Sequence, residues 1–327
     1  MKITLLGDSK FELNKSEQIE LKEGYSIVKV LRCGVCGSDI PRMFNNKAYH
    51  YPIVVGHEFS GYIFDSYEKN NIGRRCVIFP IIPCMECEYC KKEQYANCVH
   101  YDYYGSRRDG GMQDYLLVKN ENILFLPDNV TYEQAAMVEP CAVTLHGIKK
   151  ANIKPGENVL IYGAGTIGDL CALWVKSMNA NPFLFDIDED KLSYMERLGY
   201  KRWNNEEVDV VLECTGASKC IIDSVLNIKS FGRIVFIGNA SKDVNIDTTV
   251  YSKILRKQLS IYGSWNSDFA SFSNDWVDTI NSIGKKAIDP SVLITHKYNI
   301  NDATIMFEML QQHKEMFIKV MVMMNEK

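Results

Sequence analysis

The chain lacks any apolar run long enough to span a membrane. It also lacks the excess of positive charge that would attract it to nucleic acid or anionic lipid, since its formal net charge is −4 and its pI is near 5.9. The apolar stretch at the N-terminus is too short and reaches the charged Asp8 too soon for a secretory signal. We therefore expect a cytoplasmic globular protein that binds neither nucleic acid nor membrane.

Disulfide bonds are not expected either, although the chain contains eleven cysteines. In a reducing cytoplasm, clustered cysteines indicate a metal or a catalytic site rather than cross-links. The length of 327 residues predicts two domains, each with an ample core.

The densest cluster has the spacing C-x2-C-x2-C-x7-C and consists of Cys84, Cys87, Cys90 and Cys98. Four thiolates can surround one tetrahedral zinc ion and leave no position open, as in structural zinc sites. An iron–sulfur cluster is an alternative, because spacing does not identify the metal. A zinc ribbon that binds nucleic acid is another, but the glutamates between these cysteines would oppose phosphate.

A second candidate site combines the segment Gly34-Val35-Cys36-Gly37-Ser38-Asp39 with Gly56-His57-Glu58. Together they supply a thiolate, an imidazole and a carboxylate, a mixed set typical of catalytic zinc with one position open for substrate. The hydroxyl of Ser38 lies two residues from the thiolate and can hydrogen-bond an alcohol at the metal. The alternative is a buried free cysteine beside a hydrogen-bonded core histidine.

Around these sites, residues 1–130 show many short strand patterns separated by turns, which predicts a compact β-barrel domain. From Thr131 the pattern is helical, with a capping box to Gln134 and an interruption where Pro140 must kink or break the helix. Glu139, a carboxylate in an apolar helix, requires either a partner such as a metal or a place on the surface.

The second half predicts a dinucleotide-binding domain. A buried strand over Asn158–Tyr162 leads into the glycine-rich loop Gly163-Ala164-Gly165-Thr166-Ile167-Gly168 and then an apolar helix. The glycines permit a tight turn and close approach to a pyrophosphate at the helix N-terminus. We expect contacts from Gly163, Gly165, Thr166, Ile167 and Gly168.

The following strand ends in Asp186, where a carboxylate can bind the ribose hydroxyls. Three further acidic residues and no arginine come next, which favours NAD over NADP. Alternating strands and helices then predict a doubly wound parallel sheet. After it we expect helices over 268–283 and 301–312, and an apolar strand over 317–323 that returns to the first domain.

In this order, the G-V-C-G-S-D and G-H-E segments, the four-cysteine lobe over 84–98, the Glu139-Pro140 helix and the G-x-G-x-x-G loop resemble the zinc-dependent medium-chain dehydrogenase/reductase family along essentially the whole chain. The resemblance implies an α/β protein with a GroES-like β-barrel catalytic domain over 1–145 and 266–327. It implies a Rossmann domain over 146–265, and assembly as a homodimer or homotetramer.

The resemblance also implies roles for individual residues. Cys36 and His57 would ligate the catalytic zinc, with Glu58 and Glu139 ligating it directly or through water. Ser38 would relay the proton. Each chain would hold two zinc ions and one NAD.

Within the family, the segment from Cys36 to Arg42 and the loop that contains Arg107 and Arg108 resemble the galactitol-1-phosphate 5-dehydrogenase branch. This implies that the three arginines bind a phosphate, although from the residues alone Arg107 and Arg108 fit a solvated turn equally well. Pro41 stands where many relatives have a histidine, so the proton must leave through ribose hydroxyls or water.

The predicted reaction is oxidation of a secondary alcohol of a sugar alcohol phosphate to a ketose phosphate, with NAD⁺ as hydride acceptor. The alternatives are a dehydrogenase of an unphosphorylated polyol or of threonine, and a zinc-binding regulatory or structural protein without turnover.

Overall fold

The computed structural model describes residues 1–240 and 242–325, and these form two compact units. The first comprises Met1–Glu139, Phe269–Lys285 and the chain from Ile294 onward. The second comprises Pro140–Asp268 and Lys286–Leu293.

These boundaries differ from the predicted ones, which gave residues 140–145, 266–268 and 286–293 to the first domain. The helix that contains Cys141 is tied to the second unit, because the indole Nε1 of Trp174 donates to the Cys141 carbonyl at 3.1 Å. The short turn at 290–293 is tied to it as well, through a 2.5 Å hydrogen bond from the Tyr194 hydroxyl to the Val292 carbonyl.

The first unit is mainly antiparallel β-structure. Its N-terminal elements are β1 (Lys2–Gly7), β2 (Lys10–Asn14), β3 (Tyr25–Val35), α1 (Ile40–Phe44), β4 (Glu58–Ser66), β5 (Arg75–Ile78), β6 (Ile81–Ile82), α2 (Glu88–Lys91), β7 (Asp102–Tyr103), β8 (Tyr115–Lys119), β9 (Ile123–Phe125) and α3 (Tyr132–Ala136).

The second unit alternates helix and strand, as α4 (Val138–Ala151), β10 (Asn158–Tyr162), α5 (Thr166–Ser177), β11 (Asn181–Phe185), α6 (Glu189–Arg197), β12 (Lys201–Arg202), β13 (Val208–Glu213), α7 (Ser218–Leu226), β14 (Ile228–Phe236), α8 (Thr248–Arg256) and β15 (Ser260–Gly263). The first unit ends with α9 (Asp275–Gly284), β16 (Ile294–Asn299), α10 (Ala303–Gln312) and β17 (Lys319–Met323).

In the first unit, one sheet has the order β16-β17-β3-β4-β5-β9, with β8 also paired to β3. Apart from the parallel pair β16–β17, its neighbours are antiparallel. The returning strand was predicted, and β17 does pair with β3, with Val320 opposite Val35. Ile3, Val28, Phe59 and Met306 are among the fully buried residues of its core.

In the second unit, the strands form a parallel sheet with the order β12-β11-β10-β13-β14-β15. This is the doubly wound order of dinucleotide-binding domains, so the predicted fold class is confirmed. None of the described helices combines the length and the apolar content needed to cross a bilayer.

Two local predictions can be compared with the helix boundaries. The helical segment is interrupted near Pro140 but not at it: α3 ends at Ala136, α4 begins at Val138, and Pro140 lies in the first turn of α4, where no intrahelical N–H partner is needed. The helix predicted over 268–283 begins only at Asp275, because the Asn274 side chain accepts hydrogen bonds from the N–H groups of Trp276 and Val277 and caps the helix there.

Candidate functional site

Cys36, His57 and Glu58 come together in the first unit, with one potential ligand atom of each within 4.8 Å of the others. Cys36 follows β3 directly, while His57 precedes β4 and Glu58 begins it. Gly34 lies opposite Glu58 in this antiparallel pair, so the pairing itself brings the three side chains into one place.

The carboxylate of Glu58 forms a buried ion pair that the sequence did not reveal. Its oxygens accept hydrogen bonds from the Lys319 ammonium at 2.6 and 2.9 Å, and both residues are 1% exposed. Burial disfavours the charged Lys319, but the charges of Glu58 and Cys36 outweigh it and raise the pKa of Lys319. A Cβ at Gly34 would lie 2.2 Å from Glu58 Oε2, so only glycine leaves space for this carboxylate.

A second buried carboxylate, Asp39, lies close to the histidine. Its Oδ1 is 3.6 Å from His57 Nδ1, and its Oδ2 accepts a hydrogen bond from the Cys36 backbone N–H at 3.1 Å. Burial alone would raise the pKa of Asp39, but His57 and Arg42 outweigh it, and the pKa is lowered. With its Oδ1 close to His57 Nδ1, Asp39 is placed to orient the imidazole.

This arrangement fits a zinc ion. Nδ1 of His57 is buried and has no hydrogen-bond partner among the described residues, and it faces a carboxylate, the usual neighbour of a metal-ligating imidazole. Cys36, His57 and Glu58 offer sulfur, nitrogen and oxygen, a donor set that zinc accepts with a fourth position free.

Glu139, the fourth predicted ligand, is 6% exposed but does not belong to this group of three. Its Oε1 accepts a hydrogen bond from the Tyr103 hydroxyl at 3.3 Å. Burial raises the pKa of Glu139 to about 7, against the opposing effect of His57. Tyr103 also packs edge-on against His57, with ring centroids 5.6 Å apart, and no sequence pattern indicated it.

Ser38, the predicted proton-relay group, is exposed, and its hydroxyl accepts a 3.0 Å hydrogen bond from Arg42 Nη1. The same nitrogen of Arg42 donates to Asp39 Oδ1 at 3.0 Å and to the Ser38 carbonyl at 2.9 Å. The guanidinium is thus already paired with a buried carboxylate.

The two adjacent arginines of the predicted anion loop differ in their partners. Arg108 pairs with Asp102, through Nε at 2.6 Å and Nη2 at 2.5 Å. Arg107 is exposed and lies over two aromatic rings, 4.7 Å from the centroid of Tyr49 and 4.3 Å from that of Tyr101. Within the described residues it has no carboxylate partner, so its charge remains available to an anion.

The four lobe cysteines also converge, with their sulfur atoms within 4.8 Å of one another. Two of them, Cys84 and Cys90, have sulfurs 3.9 Å apart. A tetrahedral zinc ion with Zn–S bonds of about 2.3 Å requires sulfurs about 3.8 Å apart, so the observed separation fits the metal. Hydrogen bonds from the backbone of Cys90 and Val99 lower the pKa of Cys87 to about 6, which favours the thiolate that a metal requires.

In the second unit, the predicted dinucleotide loop connects β10 to α5. Gly163 has a φ of +102°, and a Cβ at Gly168 would lie 1.8 Å from the Gly163 carbonyl oxygen. Gly165 precedes the helix, and a Cβ there would meet no atom within 4 Å. The first and third glycines are thus required by the turn, whereas Gly165 leaves open space where a pyrophosphate can approach. Thr166 and Ile167 form the first turn of α5.

Asp186 follows β11 and binds this loop directly. Its Oδ2 accepts a hydrogen bond from the Ala164 N–H at 2.6 Å, and its Oδ1 accepts one from the Asp188 N–H at 2.9 Å. The predicted ribose ligand is therefore fixed beside the glycine loop by two backbone groups.

Two family models match the chain: the alcohol dehydrogenase GroES-like domain over residues 22–128, and the zinc-binding dehydrogenase over residues 166–283. The galactitol 1-phosphate 5-dehydrogenase of Escherichia coli K12 is 32% identical over 295 residues, which cover 83% of this chain and 84% of that protein. The sorbitol dehydrogenase of Halalkalibacterium halodurans is 30% identical over 298 residues, covering 84% and 85%.

Among solved structures, the galactitol-1-phosphate dehydrogenase of Escherichia coli superposes with a TM-score of 0.91 at 28% identity, covering 98% of this chain and 99% of that one. The chain thus resembles dehydrogenases of a phosphorylated polyol and of a free polyol at similar levels of identity.

Proposed function

The chain belongs to the zinc-binding dehydrogenases with an alcohol dehydrogenase GroES-like domain, and on this basis we propose that it oxidises a secondary alcohol of a sugar alcohol phosphate to a ketose phosphate with NAD⁺. It is an oxidoreductase that uses zinc and a nicotinamide cofactor. The observation that carries the proposal is the convergence of Cys36, His57 and Glu58, with Ser38 two residues after Cys36 along the chain.

When bound, zinc would supply a Lewis acid that lowers the pKa of the substrate alcohol, and NAD⁺ would supply the hydride acceptor. Cys36, His57 and Glu58 would hold the metal, while Asp39 keeps the imidazole of His57 oriented. The exposed hydroxyl of Ser38 accepts the proton of the alcohol and passes it to solvent. Arg42 helps this step because its guanidinium next to the Ser38 oxygen stabilises negative charge there.

The phosphate part of the proposal rests on Arg107. Arg107 lies over two tyrosine rings and has no carboxylate partner among the described residues, so its charge is not neutralised and can attract a phosphate. Arg42 and Arg108, which we also predicted as phosphate ligands, are paired with Asp39 and Asp102, so their part in anchoring is smaller. The same pairing favours the second candidate, oxidation of a free polyol such as sorbitol, because two of the three charges are already neutralised.

NADH production from galactitol 1-phosphate, galactitol, sorbitol and threonine separates these candidates. We expect the phosphate ester to give the highest kcat/KM, and Arg107→Gln to lower it at least tenfold without changing turnover of a free polyol. Arg74→Gln is the matched control, because Arg74 also lies over a ring, that of Phe125, at 3.3 Å. Equal turnover of free and phosphorylated polyol would favour the second candidate, and no turnover of any alcohol would leave the regulatory alternative.

A homodimer or homotetramer remains our prediction for the assembly. A cytoplasmic location remains one too, because thiolate zinc ligands such as Cys36 and the lobe cysteines have to stay reduced.

A further inference from the structure

Glu139 is a carboxylate that lies beside the candidate catalytic zinc site without belonging to it. It is 6% exposed and close enough for the charges of His57 and Glu58 to act on its carboxyl group, yet it lies outside the group of three potential ligands. A buried carboxylate so near a divalent cation is attracted to it, because buried charges are paired or bind metals. A contact must therefore hold Glu139 back if the fourth position is to stay open for a substrate.

The contact that Glu139 makes is with a tyrosine. The Tyr103 hydroxyl donates a hydrogen bond to Glu139 Oε1 at 3.3 Å. No other described residue donates a hydrogen bond to the Glu139 side chain. A hydrogen bond to a charged group changes an equilibrium constant roughly tenfold or more, so this one contact can decide where the carboxylate lies.

Tyr103 is the fixed member of this pair. Its backbone carbonyl accepts a hydrogen bond from the Arg107 N–H at 3.0 Å. Its ring packs edge-on against His57 and Tyr101, with centroids 5.6 and 6.2 Å away. The Glu139 side chain is long and has many rotamers, so Glu139 is the residue that moves when the contact is removed.

We propose that Tyr103 is a positioning residue that holds Glu139 away from the metal and so keeps the fourth ligand position open for the substrate. This inference rests on the proposed function, because it requires a metal held by Cys36, His57 and Glu58. Ligation by Glu139 as well would add a negative charge to those of Cys36 and Glu58 and would compete with the substrate. The alternative, in which Tyr103 orients Glu139 as a fourth ligand, predicts the opposite change in the affinity of that position for an added ligand.

Azide titration of the full-length protein, with Co²⁺ exchanged into the Cys36 site and zinc kept in the four-cysteine lobe, tests the proposal. Azide binds an open position on Co²⁺ and changes its visible spectrum. We expect Tyr103→Phe to weaken azide binding at least tenfold, because the released Glu139 takes that position. In a Glu139→Gln background, Tyr103→Phe should leave the azide affinity unchanged, because the neutral amide is a far weaker ligand than the carboxylate.

Tyr101→Phe is the matched control. It removes the same atom from the neighbouring ring, whose hydroxyl donates no hydrogen bond to Glu139 in the described structure, so the azide affinity should not change. The role of Tyr103 is wrong if Tyr103→Phe binds azide equally well or more tightly, if Tyr101→Phe weakens binding as much, or if Tyr103→Phe has the same effect with Gln at position 139. Failure of the unchanged protein to take up Co²⁺ at Cys36 would overturn the metal assignment as well, whereas the other outcomes leave that assignment standing.

Discussion

At the residue scale, the site contains buried charged side chains whose pairing could not be predicted from the sequence. Cys36, His57 and Glu58 were predicted from their chemistry and spacing, and they do lie together. Lys319 was not predicted as part of the site, because 261 positions separate it from Glu58 along the chain. One indication of this pair was present in the sequence: Lys319 lies in an apolar strand pattern, and a lysine buried there requires a partner.

The ion pair between Lys319 and Glu58 gives a first prediction at this scale. Lys319→Met leaves the Glu58 carboxylate buried without its partner, so we expect a loss of about 3–5 kcal/mol in the free energy of unfolding by urea. Lys319→Arg preserves the charge and should lose much less. If Lys319→Met is as stable as the unchanged protein, the pair does not hold Glu58 in place.

A second residue-scale prediction concerns Asp169 in α5. Asp169 is fully buried, and neither carboxylate oxygen has a hydrogen-bond partner among the described residues. Burial raises the pKa of Asp169 well above its usual value, and the charge of Asp186 adds to the effect. The folded chain therefore retains this proton at a pH where the unfolded chain has lost it.

Stability from this group is fully present below the unfolded pKa and declines as pH rises toward the folded pKa. Asp169→Asn removes the group, so the variant should gain stability over the unchanged protein as the pH increases from 5 to 8. Urea midpoints at each pH measure the difference, with Asp190→Asn, at an exposed position, as control. A constant difference across this range would show that Asp169 does not carry the proton.

At the element scale, strands and helices with a clear sequence pattern could be predicted. Elements whose limits depend on a single tertiary contact or cap could not. The run Asn158–Tyr162 and the following glycines predicted β10, the turn and α5, because a buried parallel strand and a phosphate loop have few alternatives. The start of α9 was missed, because it is determined by the side chain of Asn274, which caps the helix. The strand β2 was not predicted, because it has only five residues; Phe11 and Leu13 alternate with polar residues there and pair with β1.

The loop between β10 and α5 leads to a prediction about the cofactor. Asp186 carries a charge where a 2′-phosphate would be placed, so we expect NAD⁺ to be preferred over NADP⁺. Asp186→Ser should narrow the ratio of the two kcat/KM values by removing that repulsion. It should also raise KM for NAD⁺, because the Ala164 N–H loses its acceptor. Comparable kcat/KM for both cofactors in the unchanged enzyme would refute the assignment.

At the scale of the whole molecule, the sequence determined the order of the two folds but not the positions of their boundaries. Both candidate zinc sites lie within Met1–Glu139, and the glycine loop with Asp186 lies within Pro140–Asp268. The exchange point at Glu139–Pro140 lies inside the continuous helix α4, where no change of composition marks it. Sequence composition can reveal a domain boundary where a flexible linker joins the domains. Here the boundary lies within a helix, so there is no linker to detect.

This division predicts that metal content and cofactor binding can be separated by single changes. Cys36→Ser should abolish turnover and reduce zinc from two ions per chain to one, because Cys84, Cys87, Cys90 and Cys98 still hold theirs. Its affinity for NAD⁺ should be unchanged. Gly165→Val should instead impair cofactor binding and spare the metals. A Cβ at position 165 meets no atom within 4 Å, so the fold tolerates the side chain. The pyrophosphate of the cofactor needs the same space. The variant should keep two zinc ions and lose NAD⁺ affinity at least tenfold. Elemental analysis and NAD⁺ titration of the two variants provide the measurements. Zinc loss in Gly165→Val, NAD⁺ loss in Cys36→Ser, or iron in place of zinc in the lobe would contradict the assignment of the sites to separate units.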